Sequence, residues 1–370
     1  MKTRDAVLLY QNTETDTETE ILDLDVVNPI SELNMEVECT NGATSNEDNF
    51  ISDIVTKVEL VDGSEVLESL NMSQLEALHF YHTGITPTLF PSEWAGGIQR
   101  HNASIYFGRY LWDRDYAFNA PSFKNPQLKV TFNKAAIRAA SATGFATGDN
   151  IKLTVVAKIM EDVPAPGKFF MQKQINSFTS VASGDTRIEL PTDYSYRMAM
   201  LRLWLEGSDI DEIISDVKLT CDTDKFIPLN RKVKQLDAEA FAMFGRVALK
   251  HDVLRANGGI VRLLCNKEPD YTPKFWSNSA GRMVNIINPW SSEVTIGLFT
   301  DATTADTTAR SITGIETGHA LHATLPIPFG RLGYPEDWFN PKDYGKVELV
   351  LTQAAASAVC EVVLEQVRPG

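Results

Sequence analysis

Phe107-Gly108-Arg109 opens a stretch that continues through Trp112, Asp113, Asp115 and Tyr116, passes Asn125-Pro126, and enters Leu128-Lys129-Val130-Thr131-Phe132. The same order returns near the C-terminus: Phe329-Gly330-Arg331, Glu336-Asp337-Trp338, Asn340-Pro341, then Val347-Glu348-Leu349-Val350-Leu351. Each copy runs from Phe-Gly-Arg through a Trp-bearing loop broken by Asn-Pro into a strand-like segment. The plainest reading of the tripeptide is structural: Phe for a core, Gly for close backbone approach, Arg for an ion pair. A catalytic group has no reason to recur at equivalent places.

A second, independent echo has one member upstream of each copy. Ser73 and Glu76 have capping-box spacing, which predicts a helix beginning at Ser73, and Gly84 is placed to end it in a left-handed cap. Gln74, Leu75, Glu76, Ala77, Phe80 and Gly84 recur as Gln235, Leu236, Asp237, Ala238, Phe241 and Gly245 at one offset of 161. Upstream of each helix, Ile54-Val55-Thr56-Lys57-Val58-Glu59-Leu60 resembles Ile213-Ile214-Ser215-Asp216-Val217-Lys218-Leu219. Elsewhere period-two strands dominate, as at Met35–Cys39 and Ile151–Ala157, and Thr13–Glu20 reads as a solvated, β-prone edge or loop.

Val163-Pro164-Ala165-Pro166-Gly167 cannot continue a sheet ladder and reads as a stiff connector. The expected organisation is therefore a first unit at 1–163, a linker at 164–167, and a second unit at 168–370. The second carries a long insertion at about 246–328, containing short apolar runs and a Thr-rich loop.

The 370 residues, 43 % hydrophobic and 22 % charged, are ample for two cores without covalent staples. Cys39, Cys221, Cys265 and Cys360 are scattered, with no metal-type spacing, and read as buried or semi-buried thiols in a reducing compartment. A net charge of −15 with no basic block argues against coating nucleic acid. The N-terminal residues lack the apolar core of a signal peptide, and no apolar run is long enough to span a bilayer.

No P-loop, GxGxxG, GxSxG or HExxH motif occurs. His79 and His82, like His319 and His322, are three apart, but lack a third ligand at fitting spacing and read as surface or packing residues. Asp113, Asp115 and Asp211 are loop carboxylates of the kind that suit calcium, without a supporting pattern. Trp112, Trp290 and Trp338 lie beside Pro or acidic turn signals, where packing a loop end is the simpler use than sugar stacking. The expectation is no catalytic, cofactor-binding or metal residue, and no enzyme.

With these repeats in view, the chain resembles the double jelly-roll major capsid proteins of tailless icosahedral viruses of the adenovirus hexon lineage, which includes membrane-containing bacterial viruses. The resemblance rests on Ile54–Gly84, Phe107–Phe132 and their echoes at Ile213–Gly245 and Phe329–Leu351; the insertion departs from it. It implies an all-β fold of two tandem eight-stranded jelly rolls, each with a short helix in a connecting loop. It implies a trimeric, pseudo-hexameric capsomer, contacting neighbouring capsomers, penton or minor capsid proteins, and in some relatives an internal membrane vesicle. The location implied is the virion capsid, after synthesis in the host cytoplasm, with no cofactor and no sequence-specific nucleic-acid binding. The competing readings are a β-sandwich carbohydrate-binding protein or glycoside hydrolase, and a trimeric receptor-binding spike.

Overall fold

Sixteen strands build two sandwiches of the same strand order. In the computed structural model the described residues are 1–43, 46, 49–90, 94–140, 144–255, 260–264, 274–288, 293–308 and 310–370. The first sandwich uses β1 (Lys2–Glu14), β2 (Thr17–Asp23), β3 (Ile30–Thr40), β4 (Val55–Asp62), β5 (Glu65–Leu70), β6 (Ile98–Tyr106), β7 (Pro126–Asn133) and β8 (Ile151–Glu161). The second uses β9 (Lys168–Thr179), β10 (Gly184–Glu189), β11 (Tyr196–Trp204), β12 (Ile214–Cys221), β13 (Phe226–Lys232), β14 (Thr324–Pro328), β15 (Val347–Gln353) and β16 (Val359–Pro369).

The first half orders its sheets β1-β8-β3-β6 and β2-β7-β4-β5; the second orders them β9-β16-β11-β14 and β10-β15-β12-β13. Every label shifts by eight, so both halves are jelly rolls of one topology. The short strand Thr88–Phe90 extends the first sheet beyond β6. Thr13–Glu20, expected as an edge or loop, spans the end of β1, the connecting residues 15–16 and the start of β2, which occupies a sheet edge.

Alternation explains the layers. Leu33, Met35, Val37 and Cys39 of β3 are buried in the first core, while Asn34 and Glu36 are half-exposed. In β11 the residues facing the second core are Ala199, Leu201 and Leu203. Their neighbours Met198 and Met200 face the other way and join the first core, with Phe169, Met171 and Val363. A parallel bridge between Ser69 and Lys173 joins β5 to β9, making one eight-stranded sheet across the seam.

The helices repeat as well. Single-turn helices α1 (Ile51–Ile54) and α4 (Ile210–Ile213) precede β4 and β12, and α3 (Lys134–Ala140) follows β7 without a counterpart. The larger pair, α2 (Met72–Thr83) and α5 (Val233–Phe244), is 161 residues apart at both ends, as the sequence offset requires. Gly84 closes α2 at φ 68°, ψ 8°, a left-handed cap.

The start of α2 corrects the expected box at Ser73 and Glu76. Asn71 is the N-cap: its side chain accepts the Gln74 N–H at 2.9 Å, and the Gln74 side chain accepts the Asn71 N–H at 3.1 Å. Both quartets have the right spacing, but Glu76 is held elsewhere by two histidines.

The insertion forms two three-stranded sheets, Val247–Arg255 with Arg310–Gly318 and Lys274–Ser277, and Ile260–Leu264 with Glu293–Phe299 and Met283–Asn288. It is shorter than the expected 246–328, because Thr324–Pro328 is strand β14 of the sandwich.

Candidate functional site

The two Phe-Gly-Arg loops are equivalent in space. Phe107 donates its backbone N–H to the Ser31 carbonyl at 3.3 Å, and Phe329 donates to the Arg197 carbonyl at 3.0 Å. Ile30 pairs with Phe118 as Tyr196 pairs with Phe339. Behind each Phe, the glycine lies against the returning loop. A Cβ on Gly108 would sit 2.6 Å from the Tyr116 carbonyl oxygen, and one on Gly330 2.5 Å from that of Asp337. Arg109 then closes its loop on Asp113 and Asp115 at 2.7 and 2.6 Å, and Arg331 bonds Asp337. The tripeptide is a structural device in both copies.

Asp113 and Asp115 therefore already hold a cation, the Arg109 guanidinium, while Asp211 stands apart in the first turn of α4. Among the described residues no group of three or more His, Cys, Asp or Glu is placed to hold a metal ion. Trp338 is 7 % exposed and packs on Tyr116 and Phe170, so the two loops meet at the foot of the seam. Trp112 is half-buried, and Trp290 lies outside the described residues. A groove of about 590 Å³ beside the linker is lined by Arg109, Arg114, Asp115, Pro164 and Pro335.

A set of buried polar contacts crosses the seam between the sandwiches, along α2. Gln74 donates to Glu361 of β16 at 2.9 Å, and Asn71 donates to the same carboxylate at 3.2 Å. Tyr81 and Thr324 share a hydroxyl–hydroxyl bond of 2.8 Å. His82 meets Glu365 at 2.5 Å, and Glu365 also accepts from Arg197 and, at 2.7 Å, from Gln172. Glu76 takes His101 on one oxygen at 2.8 Å and His322 on the other. In the second half the counterpart of Glu76, Asp237, meets His319 at 2.9 Å.

Burial would raise the Glu76 and Glu365 carboxyls, but the charges facing them prevail. His101 and His322 bring Glu76 down to about 2, and Arg197 with His82 brings Glu365 down to about 2. Glu68 goes the other way: fully buried, its carboxyl is raised well above the ordinary value despite the Gln172 N–H it accepts.

Four histidines, 82, 101, 319 and 322, thus have buried side chains facing carboxylates, which for His82, His319 and His322 corrects the reading as surface or merely packing residues. His79 is the packing case, edge-on to Tyr106. The carboxylate partners lie 25 to 283 positions away, so no local spacing announces them. Cys39, Cys221 and Cys360 are free and buried, and burial pushes Cys39 and Cys360 up to about 12; Cys265 lies outside the described residues. No helix among the described residues is long and apolar enough to cross a membrane.

No family model matches the sequence, and no curated protein aligns with it significantly. Solved structures do match. The chain is similar to the MCP of STIV, the Sulfolobus Turreted Icosahedral Virus, at 12 % identity and TM-score 0.62, over 99 % of this chain and 96 % of that one. It is similar to the major capsid protein P2 from Bacteriophage PM2 at 11 % identity and TM-score 0.55, over 100 % and 98 %. A chain of the PBCV-1 virus capsid matches at 8 % and 0.56, over 99 % and 93 %. These likenesses span both sandwiches and show the fold: this is a double jelly roll.

Proposed function

We propose that this chain is a structural major capsid protein, three copies of which form a pseudo-hexameric capsomer of an icosahedral shell. One observation carries the reading: a single strand order is executed twice along the chain, and the same double arrangement covers almost the full length of several viral capsid proteins. Two like units per chain and three chains about an axis make a block of nearly six-fold outline, which tiles a shell with few contact types. The units are 1–163 and 168–370, joined at 164–167.

The chain has no enzymatic role in this reading. Buried polar groups such as Arg197 and Glu365 are spent in ion pairs along a seam, and the conspicuous Phe-Gly-Arg repeats hold loops. Its partners are two further copies, neighbouring capsomers, penton or minor capsid proteins and, where one exists, an internal membrane vesicle. Its place is the virion capsid, following synthesis in the host cytoplasm.

The sugar-binding alternative draws no support from Trp338, which is 7 % exposed and packs on Tyr116 and Phe170. Light scattering or native mass spectrometry on the purified chain tests the proposal. A stable trimer is expected; a monomer at micromolar concentration overturns it. Many copies per particle, counted on purified virions, separate a shell subunit from a spike.

A further inference from the structure

We infer that the open face of α5 docks on the outer face of the β1-β8-β3-β6 sheet of a second copy of this chain. The inference rests on the shell-subunit reading and names the surfaces through which copies meet.

Inside one chain, α2 is covered by the second sandwich. Asn71, Gln74, Tyr81 and His82 reach across to Glu361, Thr324 and Glu365. Helix α5 is the same element 161 residues later, and it is seated in its own sandwich through Val233, Leu236, Asp237 and Ala240. The residues at the four docking positions are Lys232, Gln235, Ala242 and Met243, and all four are exposed, Met243 at 58 %. The helix is repeated; its cover is missing.

The counterpart of the cover is also open. Strand register identifies it. Arg202 faces Glu361 on one side and Thr324 on the other, as Glu36 faces Thr154 and Asn102. Met198 faces Glu365 as Glu32 faces Lys158. Thr154, Lys158 and Asn102 therefore stand where Glu361, Glu365 and Thr324 stand, and all three are half-exposed. Each open surface duplicates one half of a contact the chain already makes. Since α5 is uncovered within its own chain, the occupant is another copy, and the head-to-tail contact either closes a ring or propagates.

The chemistry of the two contacts differs. In the chain, Met198, Met200 and Val363 are buried in the first core. At the corresponding positions the outer sheet carries Glu32, a carboxylate 3 % exposed and bonded by Ser104, and the half-exposed Asn34 and Val156. A surface this polar stays soluble before assembly and matches interfaces between subunits that fold separately.

The test places one cysteine on each surface of the full chain, Gln235→Cys and Thr154→Cys, the counterparts of the Gln74–Glu361 contact. On mild oxidation the double variant is expected to give reducible covalent dimers and trimers on a denaturing gel, absent from either single variant. A wild-type trimer by light scattering together with no such ladder overturns the inference and leaves the capsomer standing. A monomeric wild type overturns both. Independently, Met243→Asp is expected to weaken trimer formation by about tenfold or more while circular dichroism remains that of the wild type; wild-type assembly by this variant overturns the inference.

Discussion

His82, in the last turn of α2, lies 2.5 Å from the Glu365 carboxylate of β16, joining residues 283 positions apart across the seam. Arg197 approaches the other oxygen of the same carboxylate, so one buried anion is shared by two sandwich elements and a helix. Removing one member of such a group strands the others in a dry environment. Glu365→Ala is expected to destabilise the chain by about 3–5 kcal/mol, read as a lower urea midpoint. The double change Glu365→Leu with Arg197→Leu should cost less than the two single changes added together.

Acid should destabilise the fold in two stages. Burial holds His79 down to about 4 from an ordinary 6.5. The folded state thus refuses a proton the unfolded chain accepts, and stability falls as pH drops from 6.5 towards 4. Glu76 and Glu365, held at about 2, contribute stability that is present above the ordinary carboxylate value of 4.5 and lost as pH falls towards 2. Urea midpoints across this range should show both slopes, and His79→Phe should remove only the first.

Glu68 predicts the opposite sign. Its raised folded value means that its favourable contribution is complete below 4.5 and is lost as pH rises. Glu68→Gln keeps an oxygen for the Gln172 N–H and has no proton to hold. The variant should gain stability over wild type increasingly from pH 5 to pH 8, measured by thermal unfolding. An unchanged difference across that range would contradict the assignment.

The glycines of the repeated tripeptide should resist substitution. Gly330 combines a φ of 85° with a backbone oxygen only 2.5 Å from where a Cβ would sit, and at Gly108 that separation is 2.6 Å. Each change to Ala should cost about 2 kcal/mol or more. Gly167→Ala, where no atom lies within 4 Å, should be nearly neutral. Calorimetry on the three variants checks the order.

Trp338→Ala separates the structural from the sugar-binding reading. Its ring centroid lies 5.9 Å from that of Tyr116 and 5.8 Å from that of Phe170. Truncation should cost about 3–5 kcal/mol in stability and leave a glycan array unchanged from wild type.

Much of the fold was legible because duplication writes itself twice. The Phe-Gly-Arg copies, the helix at offset 161 and the Ile54 and Ile213 strands each fall at equivalent places in both sandwiches. The helix cap lies two residues before the expected one because Asn71-x-x-Gln74 and Ser73-x-x-Glu76 carry the same local signal. The insertion is shorter than its sequence suggests because β14, only five residues, is too short to show its alternation.

What the sequence determined by itself is the strand-by-strand pattern of each sandwich, since burying alternate side chains is a local, period-two requirement. Only the tertiary structure decided which faces of the two sandwiches meet. Glu76 and Glu365 find their histidines across long stretches of chain, and Met198 turns from its own core into its neighbour's. A charge or a methionine in a strand is compatible with water or with a partner sheet. Folding brings the partner, and the cost of leaving a buried charge unpaired selects the arrangement in which His82, Arg197 and Glu365 come together.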